Sequence, residues 1–250
     1  MKKLATLLAF STVLAYGSMA RAADLPEAPV VYDWTGFYLG GNIGYGFAGD
    51  DKVGITEKDT IDGDITFFGK PADLKLNGIF GGPEIGYNFQ AGQVVFGVEG
   101  DFEFSGISDD DDGTASQGRR IVSAHAKDDV QWFSTIRGRL GYAFDNLLLY
   151  GTGGLAIGQI DYRVAGGFDD GSTYKIHDDY TRLGWTAGAG LEWGFDEHWS
   201  AKAEYKYVNF GKKSLSARLF DDEGVATDRT ETTEATPDFH SVEFGINYRF

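Results

Sequence analysis

The last ten residues constrain this chain most. Residues 241–250 read S-V-E-F-G-I-N-Y-R-F. Val242, Phe244, Ile246, Tyr248 and Phe250 fall on one face of a strand, and Ser241, Glu243, Gly245, Asn247 and Arg249 fall on the other. A strand with its apolar side in lipid and its polar side in a barrel lumen needs this pattern. A soluble edge strand shows it too, so the argument depends on finding the same pattern along the chain.

The N-terminus says how the chain travels. Lys2 and Lys3 precede a mostly apolar stretch, residues 4–19, and Ala20-Arg21-Ala22 supplies small residues at a cleavage site. This reads as a secretory signal peptide, residues 1–22. Its apolar core is shorter than the ~20 residues that a spanning helix needs. No later run is long enough either, so a membrane form would cross with strands. Cleavage removes three basic residues and leaves 19 against 38 acidic ones, a net charge of −19. Such a charge argues against nucleic acid as a partner, because phosphates need basic patches. The chain has no cysteine, hence no disulfide or thiolate chemistry.

Residues 23–35, with Pro26 and Pro29, read as an extended periplasmic lead-in, and residues 36–250 as the barrel. Eight segments in it alternate: 36–47, 77–89, 94–105, 130–144, 147–164, 183–195, 199–210 and 241–250. In the fourth, Val130, Trp132, Ile136, Leu140, Tyr142 and Phe144 are expected outward. The fifth opens Leu147-Leu148-Leu149-Tyr150, apolar on both faces, so its direction stays open. Short turns join segments two to three, four to five and six to seven. The other four connections are long and acidic. This predicts an all-β, eight-stranded, antiparallel up-and-down transmembrane β-barrel with short periplasmic turns and four long extracellular loops. A lipocalin-like barrel also has eight strands, but the aromatic face here is backed by Gly, Asn, Glu and Arg, a poor soluble core. Aromatics near strand ends suit interfacial girdles.

Residues 33–46, D-W-T-G-F-Y-L-G-G-N-I-G-Y-G, resemble the first strand of the small outer-membrane β-barrel family of alphaproteobacteria, the Omp25/Omp31-like porin-family surface proteins. Residues 137–142 and 148–154 also resemble family segments. The terminal Tyr248-Arg249-Phe250 is similar to the aromatic-ended signal that such proteins present to the barrel-assembly machinery. The resemblance implies the cell outer membrane, outer-membrane lipids and lipopolysaccharide as partners, and surface antigens as a class. It leaves a homo-oligomer open and carries no catalytic residues.

By parity the inward face holds Glu99, Asp101, Glu103, Arg137, Arg139, Glu192, Lys202, Glu204, Lys206, Glu243 and Arg249. Charges on adjacent strands can pair, and in a lumen this narrow an unpaired charge is costly. An eight-stranded barrel is just wide enough for side chains to fill. The leading expectation is therefore a non-enzymatic barrel, its lumen plugged by a charged network, serving envelope integrity and surface exposure. A narrow porin passing small ions, and a surface receptor for haem or a host ligand, remain alternatives.

The acidic runs 109–112, 169–170 and 221–223 read as solvated loops or weak divalent sites. An EF-hand fails on Ser108 and Arg119 at its first and twelfth positions. Arg119, Arg120, Lys212 and Lys213 are expected near the loop–membrane boundary, where lipopolysaccharide phosphates lie. His125, His177, His198 and His240 show no metal-ligand spacing. Gly151 to Ala156 match G-x-G-x-x-A but lie in a strand, without the helix that would cradle a phosphate. No catalytic, cofactor or metal residue is expected.

Overall fold

The computed structural model describes residues 32–49, 51–59, 65–117 and 119–250; the expected signal peptide, residues 1–22, and residues 23–31 lie outside them. Twelve strands are found among the described residues: β1 (Gly36–Phe47), β2 (Asp51–Asp59), β3 (Ile65–Leu74), β4 (Gly78–Ala91), β5 (Val94–Gln117), β6 (Arg120–Phe144), β7 (Leu147–Phe168), β8 (Thr173–Gly194), β9 (Trp199–Asn209), β10 (Lys213–Phe220), β11 (Ala226–Ala235) and β12 (Asp238–Arg249).

Eight of them close a ring, in the order β1, β4, β5, β6, β7, β8, β9, β12 and back to β1, every pair antiparallel. The closing pair runs from Tyr38 opposite Arg249 to Phe47 opposite His240. Closure leaves none of the eight strands with a free edge, which is what a strand needs in hydrocarbon. The outer face is a belt of exposed apolar side chains, among them Ile43, Val98, Ile136, Leu140, Leu155, Leu183 and Phe244. The direction of the fifth membrane strand is resolved: Leu147 and Leu149 face out, and Leu148 and Tyr150 face in.

One expected outward residue is not outward. Val130 is fully buried inside. The β6–β7 register shifts between Val130 and Trp132, so Val130 and Phe133 both face inward. A bulge adds one residue to a strand and reverses its faces beyond that point.

The long connections are also more ordered than acidic loops suggest. Strands β5 to β8 run past the belt, and two hairpins, β2–β3 and β10–β11, stand beside them. Strand β11 pairs with β2 from Arg229 opposite Asp59 to Thr232 opposite Thr56, and β10 meets β8 at Phe220 and Thr173. On the far side β3 presents its edge to β5. There the Asp109 carboxylate accepts from the Lys75 N–H at 2.6 Å, and Asp111 from the Asp73 N–H at 3.0 Å. The acidic run thus caps a strand edge that would otherwise stay open. Inside this extension lie Val122, Ala124, Ala126, Tyr162, Val164, Ile176, Leu215 and Leu219.

A carboxylate pair sits in the same interior. Glu231 of β11 stands directly opposite Glu57 of β2. Arg120 grips Glu57 with both terminal nitrogens, at 2.6 and 2.9 Å, and Arg229 adds a contact at 3.2 Å. Both Glu231 oxygens are buried with no hydrogen-bond partner. Burial first, and the facing Glu57 second, push the Glu231 carboxyl up to about 8 against the pull of Arg120 and Arg229. The folded extension therefore holds a proton that an opened one releases above the ordinary glutamate range. Its stability should fall as pH rises from about 4.5 to about 8. Glu231→Gln should remove that slope. Native-state hydrogen exchange of β2 and β11, compared between wild type and variant at each pH, measures it; parallel curves would contradict the assignment.

Candidate functional site

The barrel interior carries the largest group of buried charges among the described residues. Each membrane strand gives every second side chain to it, and the charged ones gather at one level. Arg137 of β6 is the centre. Its guanidinium contacts Glu99 and Asp101 of the neighbouring β5, the latter at 3.2 Å, and reaches across the lumen to Glu204 of β9. Thr135 also holds Asp101: its hydroxyl donates to the oxygen that Arg137 binds, at 2.6 Å, and its backbone N–H donates to the other, at 2.9 Å.

Lys202 of β9 pairs with Glu84 of β4 and lies 3.4 Å from Glu243 of β12 and 3.5 Å from Glu99. Lys206, four residues further along the same face, meets Glu243 at 2.8 Å and Asp101 at 3.7 Å. Arg139 binds Glu192 of β8 and stacks over the Tyr150 ring at 3.7 Å. Neutral groups complete the set. Tyr38 donates its hydroxyl to Glu99 at 2.6 Å, Thr152 donates to Glu204 at 2.7 Å, and Ser200 and Asn247 donate to Glu192. Side chains of all four cations and their carboxylate partners are essentially inaccessible to solvent.

Apolar side chains bracket this layer. Towards the periplasmic turns lie Tyr32, Trp34, Val95, Ala143, Leu148 and Tyr150. Towards the extension lie Phe80, Ile107, Phe133, Val208, Phe210 and Phe239. Tyr32 and Trp34 belong to the lead-in, and the backbone N–H of Trp34 donates to the Gln90 side chain at 2.8 Å.

A closed ring of eight membrane strands with this lipid-facing belt matches the model for an outer membrane protein beta-barrel domain over residues 6–250. The chain belongs to that family. Within it the protein is 35% identical to the 31 kDa outer-membrane immunogenic protein of Brucella melitensis, over 94% of this chain and 95% of the relative. It is 31% identical to the 25 kDa outer-membrane immunogenic protein of Brucella abortus, over the full length of both. It is thus an outer-membrane protein of the Omp25/Omp31 type. The outer membrane protein OprG of Pseudomonas aeruginosa is a solved structure with 12% identity and a TM-score of 0.45, covering 88% of this chain and 98% of that one.

The interior of this family member holds ten of the eleven residues that parity assigned to a charge network. Arg249 is the correction. It lies at the periplasmic rim, stacks on Tyr32 at 4.1 Å and donates to the Glu197 carbonyl at 2.6 Å, because the strand ends below the charged layer. Glu84 is a member that the sequence reading missed; its even position on β4, out of phase with exposed Ile85 and Tyr87, was the available signal. Glu103 has a different partner from the arginine that strand adjacency suggests. It accepts from the Asn42 amide at 2.8 Å, at the boundary with the apolar residues above.

The basic residues expected at the membrane boundary divide. Arg119 and Arg120 sit at the tip of the β5–β6 hairpin, roughly 40 Å along the strand from Trp132. They do not line the boundary, and Arg120 is committed to Glu57. Lys212 and Lys213 do follow Asn209, opposite Trp185 of the belt, and pair with Glu234 at 2.5 Å and Asp178 at 2.6 Å. At the chain end, Tyr248 packs between His198 and Trp199, and Phe250 is exposed beside Phe37. His125 bonds Asp112 at 2.8 Å, and His240 bonds the Tyr205 hydroxyl at 2.6 Å.

Removing one partner from a buried pair strands a charge, whereas removing both does not. Arg139→Met should therefore destabilise the barrel by about 3–5 kcal/mol, and adding Glu192→Leu should recover part of that loss. Urea unfolding in lipid vesicles, followed by tryptophan fluorescence, gives the cycle; additive losses would refute the coupling.

Proposed function

We propose that this protein is a non-enzymatic, sealed outer-membrane barrel whose charged interior is a plug, and whose work is envelope integrity and surface display. The observation that carries the reading is the Arg137 guanidinium. It is tied to carboxylates on both sides of the lumen within a layer that apolar side chains bound above and below. An ion entering that layer would have to separate buried charge pairs, each costly to open. The ordered extension beyond the belt supports surface display, and so do the names of the Brucella relatives as outer-membrane immunogenic proteins.

Outer-membrane lipids and lipopolysaccharide are the partners in this reading, with Lys212 and Lys213 at headgroup height. Tyr248 and the exposed Phe250 serve as the terminal signal for the barrel-assembly machinery.

One observation favours a second reading. The charged layer holds seven carboxylates (Glu84, Glu99, Asp101, Glu103, Glu192, Glu204, Glu243) and four cations (Arg137, Arg139, Lys202, Lys206). Such an excess suits a narrow path for small cations. Planar-bilayer conductance of the refolded mature chain separates the two. A silent membrane, with folding confirmed by heat-dependent gel mobility, is the expected outcome. Discrete, cation-selective steps would overturn the plug and make the protein a narrow porin.

A further inference from the structure

The outer faces of β6, β7 and β8 carry an unusual row just beyond the belt. Ile157 opposite Leu183 is the outermost exposed apolar pair on β7 and β8, and Gln159 opposite Thr181 follows. Next comes Asp161 opposite Asp179, four residues from Ile157, or roughly 13 Å along the strand. Asp129 of β6 lies opposite Asp161 on its other side. Three aspartates thus stand directly side by side, an arrangement that costs stability unless positive charge lies among them.

The next row outward, Lys127, Arg163 and His177, supplies part of that charge. Arg163 binds Asp161 Oδ2. Asp161 is only 6% exposed, and its other oxygen, Oδ1, is buried with no hydrogen-bond partner. That oxygen is 3.4 Å from His177 Nδ1, and His177 Nε2 is 4.0 Å from Asp179 Oδ2. One donor atom from each of the three residues falls within 4.8 Å of the others.

We propose that Asp161, His177 and Asp179 form a binding site for a first-row transition dication such as Zn2+, set at headgroup height on the outer face of the barrel. An imidazole with two carboxylates suits this class of ion, whereas Ca2+ and Mg2+ take oxygen ligands alone. Tetrahedral zinc with ligands at ~2.0 Å holds its donor atoms about 3.3 Å apart. Asp161 Oδ1 and His177 Nδ1 already stand near that spacing. Asp179 and His177 are both about half exposed, with side chains free to make the remaining approach.

Arg163 has two roles. Its Nε donates to His177 Nδ1 at 3.3 Å and must yield that nitrogen to the ion. Its hold on Asp161 Oδ2 stays, and is the outer hydrogen bond that orients a ligating carboxylate. The fourth position faces outward, where water completes the shell. Spacing along the chain hides the site because the ligands come from two strands; only the His177-x-Asp179 pair, on one face of β8, is visible in sequence.

The test uses the untagged, refolded mature chain in detergent, titrated with Zn2+ against a chromogenic chelator. One saturable equivalent per chain is expected. His177→Ala and Asp179→Asn should each weaken binding at least about tenfold, while His125→Ala should leave it unchanged. Both ligand side chains are exposed, and heat-dependent gel mobility confirms that the variants are folded. No saturable binding, binding that both ligand variants retain, or displacement of Zn2+ by equimolar Ca2+ would each overturn the site.

Discussion

In hydrocarbon, a backbone N–H or C=O has no water to turn to, so every one must pair within the chain. Ring closure through β1 and β12 meets that demand and dictates the rest. Eight strands enclose a lumen only as wide as its side chains. The apolar set is taken up by lipid, and the polar set is left to satisfy itself inside. The packing shows how little room there is. A Cβ on Gly86 would stand 2.4 Å from the Tyr38 ring, and one on Gly190 would stand 2.6 Å from Tyr150. Glycine on one wall is the condition for a ring on the other, and those two tyrosines in turn bond Glu99 and Glu204.

Legibility in the sequence follows from the same geometry. Side-chain direction has a period of two, so the lipid face and most of the charged layer could be read from alternation alone. Pairing across the lumen could not. Arg137 and Glu204 sit on β6 and β9, which are not neighbours in the ring, and Glu103 meets Asn42 of β1. The sequence orders strands around a wall but does not say which side chains meet in the middle. The run Asp109 to Asp112 failed for a different reason. Four identical residues carry no alternation, so a strand whose odd members cap β3 looks the same as a solvated loop. Arg249 obeyed parity, but parity does not report depth.

Where the chain leaves the bilayer, its polarity must invert. Inside the belt the outer face is apolar and the interior charged; beyond it, water bathes the outer face and the interior must be apolar. The strands achieve this in two ways. On β7 the sequence itself changes phase: the exposed apolar residues are Leu149, Leu155 and Ile157, then the buried ones are Ile160, Tyr162 and Val164. On β6 the sequence does not change. Its apolar residues stay at even positions from Val122 through Val130 to Ile136, Leu140 and Tyr142, and the bulge at Gln131 turns the strand over instead. This is why Val130 reads as lipid-facing and is not. A single inserted residue converts a membrane strand into a wall of the soluble extension. The two solutions meet on adjacent strands at one height, so that the apolar residues Phe133, Ala156 and Ile160 pack together above the charged layer.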